Sequence, residues 1–319
     1  MTTINTLATA TLFQQNLDLL AVQESVTGWM DANAGQVKYN GGAEVKIPKM
    51  VVNGLGDYDR DSGYVQGGVT LSYGTYTMTQ DRGRKFQLDA MDVDETNFVP
   101  TAARVMGEFQ RTKVIPEIDA YRISKIVTAA IAKDAASTTN QVVYNYTPAY
   151  GTILGQIEDG IQYLRDLGYV GQLMIHVNGS TAKAIKLAGL QNIRNTTFSQ
   201  GGINMEVPSI DNCPIIETAA NRMYSAITTY DGTTEGQKDG GYVKASAGLD
   251  VNFVIVPREV PIAVTKQDKM KIFTPDQNQD ADAWKMNYRR FHDLWVMDNK
   301  AAGIFVNIKD QKPAGTSGQ

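Results

Sequence analysis

Val69-Thr70-Leu71-Ser72-Tyr73-Gly74-Thr75-Tyr76-Thr77-Met78-Thr79, residues 69–79, is the stretch on which the fold turns. Val69, Leu71 and Tyr73 alternate with Thr70 and Ser72, and Thr75, Thr77 and Thr79 alternate with Tyr76 and Met78. A repeat of two, rich in β-branched and aromatic side chains, predicts a strand with two unlike faces. Asp81-Arg82-Gly83-Arg84 then has turn composition, and Phe86, Leu88 and Ala90 alternate with Lys85, Gln87 and Asp89. The whole therefore reads as a long hairpin with Arg82 and Arg84 at its tip. A hairpin alone is barely stable in water, so this one is expected to lie against another surface, that of a neighbouring subunit.

Towards the N-terminus, Leu12, Phe13, Leu17, Leu20 and Val22 stand at roughly helical spacing, and Gly28, Gly35, Gly41 and Gly42 follow. This predicts an amphipathic arm with a pliable exit. Towards the C-terminus, Asp94, Glu95 and Thr96 suit a helix start near residue 97. A helical pattern then runs from Thr101 to Ala136, with Ala120, Ile123, Val127 and Ile131 on one stripe and Pro116 interrupting it. A second amphipathic helix carries Ile153, Ile157, Ile161 and Leu164 and ends at Gly168. Beyond it come a buried strand over Leu173 to Val177, a helix over Ser180 to Leu187 and short strands at 206–207 and 214–218. The glycine-rich run 231–241 is expected to be a flexible exposed loop. Val251 to Val264, Trp284 to Tyr288 and Ile304 to Ile308 are strand-like and are expected to form one closing sheet of long strands. The ending after residue 311 has no apolar anchor.

Composition narrows the function. The chain has 319 residues and 42% hydrophobic side chains, enough for a large core. Its 30 Lys and Arg against 34 Asp and Glu give a net charge of -4, which excludes the basic excess that tight nucleic-acid binding needs. A single cysteine, Cys213, forms no internal disulfide, and with two histidines the chain lacks a structural zinc set. No stretch approaches the ~20 apolar residues of a membrane span, and the first residues lack the pattern of a secretory signal.

Chemistry-bearing motifs are sparse. There is no GxSxG, HExxH or GxxxxGK[ST] frame. His176 lies in an apolar strand and His292 follows Arg289-Arg290-Phe291, so both read as structural, and Cys213 reads as a small apolar filler. Asp57-Tyr58-Asp59-Arg60-Asp61-Ser62-Gly63 resembles the start of a calcium loop. Ser62 stands where that loop needs glycine, however, and Gly68 stands where it needs a bidentate glutamate. A solvated acidic turn is the plainer reading, and helix-dipole complementarity does the same for Asp89, Asp92, Asp94 and Glu95. No metal, cofactor or catalytic site is expected.

The order of parts, an arm, a long hairpin, a very long helix, an α/β subdomain and long returning strands, resembles the Hong Kong 97-like (Johnson) fold of tailed-bacteriophage major capsid proteins, an α+β fold. Four stretches carry the resemblance: Gly54-Leu55-Gly56-Asp57-Tyr58-Asp59-Arg60 with Gly63-Tyr64, Asp81-Arg82-Gly83-Arg84-Lys85-Phe86, Asp89 to Thr96, and Pro116-Glu117-Ile118-Asp119-Ala120-Tyr121-Arg122. It implies an N-arm (1–43), an E-loop hairpin (44–95), a P-domain with spine helix and long strands (96–147 and 250–311), an A-domain (148–249) and a flexible tail (312–319). It also implies self-assembly into hexamers and pentamers of an icosahedral shell around double-stranded DNA, built in a host cytoplasm. The implied partners are further copies of the chain, a scaffolding protein and a portal, with no membrane and no sequence-specific DNA contact.

An encapsulin-type nanocompartment is the alternative under the same fold, and a metal-dependent enzyme using the Asp57 to Asp61 cluster is the rival of another class. Some members of the family join subunits by a Lys to Asn bond. Lys46, Lys49 and Lys85 lie near the hairpin, but that motif finds no match here. A separate scaffolding protein, or a chain already in mature form, is expected in place of an N-terminal scaffolding segment. The expected inter-subunit contacts are Tyr73, Tyr76, Arg82, Arg84, Phe86, Asp59 and Arg60, with Pro116 and Ile123 as structural positions in the spine.

Overall fold

The computed structural model describes residues 25–36, 38–39, 44–61, 63–89, 102–137, 139–188, 194–200 and 203–313. The predicted amphipathic helix of the arm, the helix start near residue 97 and most of the C-terminal tail lie outside these residues. A 3₁₀ segment, Gly28–Gln36, comes first, with Trp29 and Met30 fully buried, so this stretch of the arm is docked on the body rather than a pliable exit. Strands β1 (Lys38–Tyr39), β2 (Glu44–Val52), β3 (Val69–Thr77) and β4 (Gln80–Asp89) follow.

The alternating stretch does form strands, but the expected pairing of β3 with β4 is corrected. β3 pairs antiparallel with β2 from Glu44↔Thr77 to Val52↔Val69, which makes the hairpin β2–β3 with its connection at 53–68. β4 leaves that sheet and pairs with a strand near the C-terminus, from Ala283↔Asp89 to His292↔Gln80. Asp81-Arg82-Gly83-Arg84 is therefore strand interior, not a turn. A Cβ on Gly83 would stand 2.7 Å from the Tyr288 carbonyl oxygen, so glycine serves the close approach of the neighbouring strand there.

The long helix is α1 (Ala102–Phe109), one π-helical turn (Gln110–Val114) and α2 (Ile115–Ser137). In the π turn the Ile115 N–H donates to the Gln110 carbonyl. Pro116, the second residue beyond that turn, supplies no N–H, so the extra residue per turn sits next to a place where the regular ladder is already broken. Ile118, Ile123, Ile126, Val127 and Ala130 of α2 are buried.

The rest comprises β5 (Val142–Val143), α3 (Ile153–Asp166), β6 (Leu173–Asn178), α4 (Gly179–Ala188), β7 (Arg194–Gln200), β8 (Ile203–Ile210), β9 (Cys213–Thr218), β10 (Ile227–Thr229), β11 (Tyr242–Lys244), β12 (Val251–Pro257), β13 (Pro261–Phe273), β14 (Ala283–Val296) and β15 (Phe305–Ile308). A seven-stranded mixed sheet runs in the order β5-β15-β12-β6-β9-β8-β7. Every residue of β6 and β12 is buried, as expected of central strands covered on both faces. On one face Met174, Val254, Val256 and Val306 pack on Ile123, Ile126, Val127 and Ala130 of α2. On the other, Ile175, Val177, Phe253, Ile255 and Phe305 pack on Ile157, Ile161 and Leu164 of α3 and Ile185 of α4. The result is a three-layer core.

Gly160 sets the spacing of one layer: a Cβ there would meet Phe305 Cδ1 at 2.7 Å and Ile255 Cδ1 at 2.8 Å. Gly160→Val should therefore cost about 1–3 kcal/mol by overpacking, although it removes a poor helix former. The check is urea unfolding, where the midpoint should fall with the slope unchanged.

The single closing sheet expected at the C-terminus is split. β12 lies beside β6 in the central sheet and β15 beside β12, so the expected boundary between A-domain and P-domain near residue 250 runs through that sheet. β13 and β14 instead join β4 in a separate long sheet, β13-β14-β4, with twelve paired positions between β13 and β14. Its inner face carries Phe86, Met286 and Tyr288 against Met106 and Phe109 of the long helix.

Candidate functional site

The hairpin β2–β3 leaves the body from a buried root. Val45 and Ile47 pack with Met78, Ile262, Val264 and Trp295. Directly opposed residues share a face of an antiparallel pair, so Pro48↔Tyr73, Met50↔Leu71 and Val52↔Val69 line one side of the arm. All six are exposed. The other side carries Val45 and Ile47 inward at the root, then Lys49, Val51, Ser72 and Thr70 further out. In the connection Leu55 is fully exposed, and Tyr58 and Tyr64, also exposed, stand edge to face with centroids 4.9 Å apart.

Large apolar side chains exposed to solvent are concentrated here: Met50, Val51, Val52, Leu55, Tyr58, Tyr64, Val65, Val69, Leu71 and Tyr73 are ten of the fifteen found among the described residues. Exposed apolar side chains gathered on one projecting element mark a candidate interaction surface.

Two buried carboxylates fix the places where chain segments leave the body. Asp119 of α2, fully buried, accepts from Ser25 Oγ at 2.7 Å, the Val26 and Thr27 amides at 3.2 Å and Arg222 Nη1 at 3.0 Å, with Thr27 Oγ1 as a further donor. One helical turn on, the buried Arg122 grips Asp31 through two bonds of 2.6 and 3.1 Å and donates to the Thr27 carbonyl. Residues i and i+3 share a helix face, so the pair clamps residues 25–31. Asp293, in β14, accepts from the Thr79 amide at 2.8 Å, Thr79 Oγ1 at 2.9 Å and the Tyr121 hydroxyl at 2.7 Å. It thereby pins the link between β3 and β4 to the long helix. Burial, with the adjacent Asp293 carboxylate, holds the Tyr121 hydroxyl far above the ordinary phenol range, so it stays a donor.

The expected contact residues divide in two. Tyr73, Asp59 and Arg60 lie on the exposed hairpin; within its connection Asp59 Oδ1 accepts from the Asp61 amide, and the Asp59 and Gly63 backbones bridge. Tyr76 instead packs near Trp295, with ring centroids 5.9 Å apart, and Phe86 packs on Phe109 at 4.9 Å. Arg82 and Arg84 are not at a tip. Arg82 forks onto Glu117 at 2.7 and 3.2 Å and donates to the Tyr230 carbonyl at 2.6 Å, while Arg84 donates to the Lys238 carbonyl. These two arginines hold the 231–241 loop against β4, so the loop expected to be flexible is tied down. Ile123 is core and Pro116 follows the π turn, both within the helix.

The remaining sequence candidates, His176, His292 and Cys213, are buried. Trp29 Nε1 donates to His176 Nε2 at 3.3 Å, which leaves Nδ1 as the protonated nitrogen facing Thr218 Oγ1 at 3.4 Å. Burial lowers the His176 pKa from 6.5 to about 4. Burial, aided by Arg290, Arg122 and Arg82, lowers that of His292 as well. The unfolded chain therefore binds protons that the fold refuses, and stability falls as pH drops from about 6.5 towards 4. Between pH 7 and pH 5, His176 alone should account for about 2 kcal/mol of loss. Urea midpoints at the two pH values check this, and His176→Gln should flatten the dependence.

Cys213 is buried, and burial pushes its thiol up. Among the described residues no three His, Cys, Asp or Glu converge as a metal set, and no helix is long and apolar enough to cross a membrane.

No protein-family model and no curated protein matches the sequence. Solved structures do. The chain superposes on the capsid structure of cyanophage P-SCSP1u with a TM-score of 0.55 at 9% identity, covering 84% of this chain and 83% of that one. The capsid of Ralstonia phage GP4 gives 0.53 at 10% identity over 86% of each chain. The mature capsid of bacteriophage PhiM1 gives 0.52 at 12% identity over 84% and 82%.

The fold is the Johnson fold of tailed-phage capsid proteins. Its prominent elements here are the hairpin β2–β3, the long helix α1–α2 and the long sheet β13-β14-β4 packed against that helix. The arms of the hairpin are 44–52 and 69–77, and 80–89 belongs to the long sheet.

Proposed function

We propose that the chain is a major capsid protein, a structural subunit that assembles into hexamers and pentamers of an icosahedral shell enclosing the double-stranded DNA of a tailed phage. The observation that carries this reading is the exposed apolar ladder Pro48/Tyr73, Met50/Leu71 and Val52/Val69 on an arm whose root is buried. Six such side chains in water are a cost to a free monomer, and covering them on an adjacent copy removes it. An arm laid over a neighbour forms a heterologous contact, and such contacts close into rings when the rotation allows. The capsid fold supports the same reading. The net charge of -4 suits a container that holds DNA without gripping it.

Electron microscopy of the purified chain, alone and with its scaffolding protein, tests the proposal. Closed shells or capsomer rings are expected, with nuclease-resistant DNA in particles isolated from infected cells. Particles filled with co-purifying enzyme would place the chain among encapsulin-type compartments, and a monomer under every condition would overturn the shell reading.

A further inference from the structure

Asn-Gly occurs twice among the described residues, at Asn53-Gly54 and Asn178-Gly179, in opposite settings. Asn178 is buried at the start of α4, where its Nδ2 donates to the Val251 carbonyl at 2.9 Å and its Oδ1 accepts from the Thr181 amide at 2.8 Å. Both ends of that side-chain amide are held, so its carbon cannot swing onto the next backbone nitrogen. Asn53 lies at the outer end of the hairpin, exposed, one residue beyond the Val52↔Val69 pair. Its backbone N–H continues the ladder to the Gly68 carbonyl at 3.2 Å, which fixes the main chain just before it. Gly54 has open space where a Cβ would stand, so no other segment of the chain packs against it.

We propose that Asn53 is a self-modifying site, at which the chain converts its own asparagine to aspartate and isoaspartate. The Gly54 nitrogen attacks Asn53 Cγ and forms the N–Cγ bond of a five-membered imide. The Cγ–Nδ2 bond breaks, and the departing amide nitrogen takes the proton from the Gly54 N–H and leaves as ammonia. Water then opens the ring. Cleavage at Cγ gives aspartate, and cleavage at the main-chain carbonyl gives isoaspartate, which routes the backbone through the side-chain carbon. No oxidant, cofactor or second protein is required.

Glycine at 54 permits the reaction because it has no side chain to hinder the approach and allows the backbone turn the ring needs. Either product places a carboxylate beside Val52 and Leu55, and isoaspartate also lengthens the backbone where the paired ladder ends. The modification therefore marks the outer end of the apolar ladder with charge. The chemistry stands whether or not the arm docks on a neighbour.

Incubating the folded full-length chain at mildly alkaline pH, with peptide mapping by mass spectrometry and isoaspartate detection, tests the proposal. The peptide containing Asn53 should lose most of its amide and split into aspartate and isoaspartate forms, while Asn178 keeps its amide. Gly54→Ala should slow the loss at Asn53, and urea should bring Asn178 up to the pace of Asn53. If Asn53 keeps its amide as well as Asn178 does in the folded chain, or if Gly54→Ala leaves the rate unchanged, the proposal is overturned.

Discussion

A chain carrying Met50→Lys together with Leu71→Glu should fold normally and fail to build shells. The two positions are directly opposed in β2–β3, so the new charges face each other across the strands and leave the hairpin's own pairing intact. Neither side chain touches the buried root at Val45 and Ile47, and the melting temperature of the free subunit should not move. On a neighbouring copy the result differs. Removing two apolar side chains forfeits about 1.5–3 kcal/mol each where they are fully covered. Burying a charged pair in their place adds a desolvation cost that its mutual attraction does not recover. A loss of at least ~3 kcal/mol per contact is more than hundredfold in affinity. Because every subunit repeats the contact, assembly should disappear at concentrations where the parent chain forms particles. The exchange Met50→Leu with Leu71→Met keeps volume and polarity and should preserve assembly. Sedimentation and electron microscopy of the three chains decide it, and shells from the charged variant at parental concentration would remove the ladder from the contact.

The second large effect is expected at Asp119. Asp119→Ala strands the guanidinium of Arg222, the hydroxyls of Ser25 and Thr27 and the amides of Val26 and Thr27, in a site that admits no water to the deleted carboxylate. Breaking a buried charge pair from one side costs about 3–5 kcal/mol. In a chain of this size that is a melting temperature lower by roughly five to seven degrees. Asp119→Asn keeps the shape and one acceptor oxygen and should lose less. Hydrogen exchange adds a local signature, because residues 25–31 should lose protection before the central strands β6 and β12 do. A variant that melts with the parent, or opens uniformly, would show that the clamp does not hold this segment.

Strand periodicity in 69–89, the long helix broken near Pro116, the helices α3 and α4 and the buried strand β6 were all legible from local pattern. They were legible because burial imposes a repeat of two on strands and of 3.6 on helices, and a single sequence carries that repeat. Pairing was not. Thr75 to Thr79 and Phe86 to Ala90 look like two arms around a turn, since Asp81-Arg82-Gly83-Arg84 has the composition of one. The hydrogen bonds of β4 are made with β14, some two hundred residues away, and local composition says nothing of that partner. The same limit joined β12 to β13 in one imagined sheet when their neighbours divide them between two. It also turned the 231–241 run into a free loop, because the carbonyls that hold it are reached by arginines from β4.

The candidate site divides along the same line. Alternation alone gave Val69, Leu71 and Tyr73 a common face and required that face to be covered by something. Their partners Met50 and Val52 could not be found that way, since β2 interrupts its own alternation with Pro48 and two consecutive valines. Asp119 and Arg122 lie in a stretch that carries the family resemblance, but nothing local marked them or Asp293 as buried, since they are ordinary charges on a helix and a strand until the fold closes over them. By itself the sequence determined the element types, the apolar face of the arm and the absence of the familiar catalytic frames, all of which follow from nearest-neighbour chemistry and spacing. Only the tertiary structure decided which strand lies beside which, which charges are buried and which tyrosines stay in water. Those depend on contacts between residues far apart in the chain, where burial on one segment is set by the surface of another.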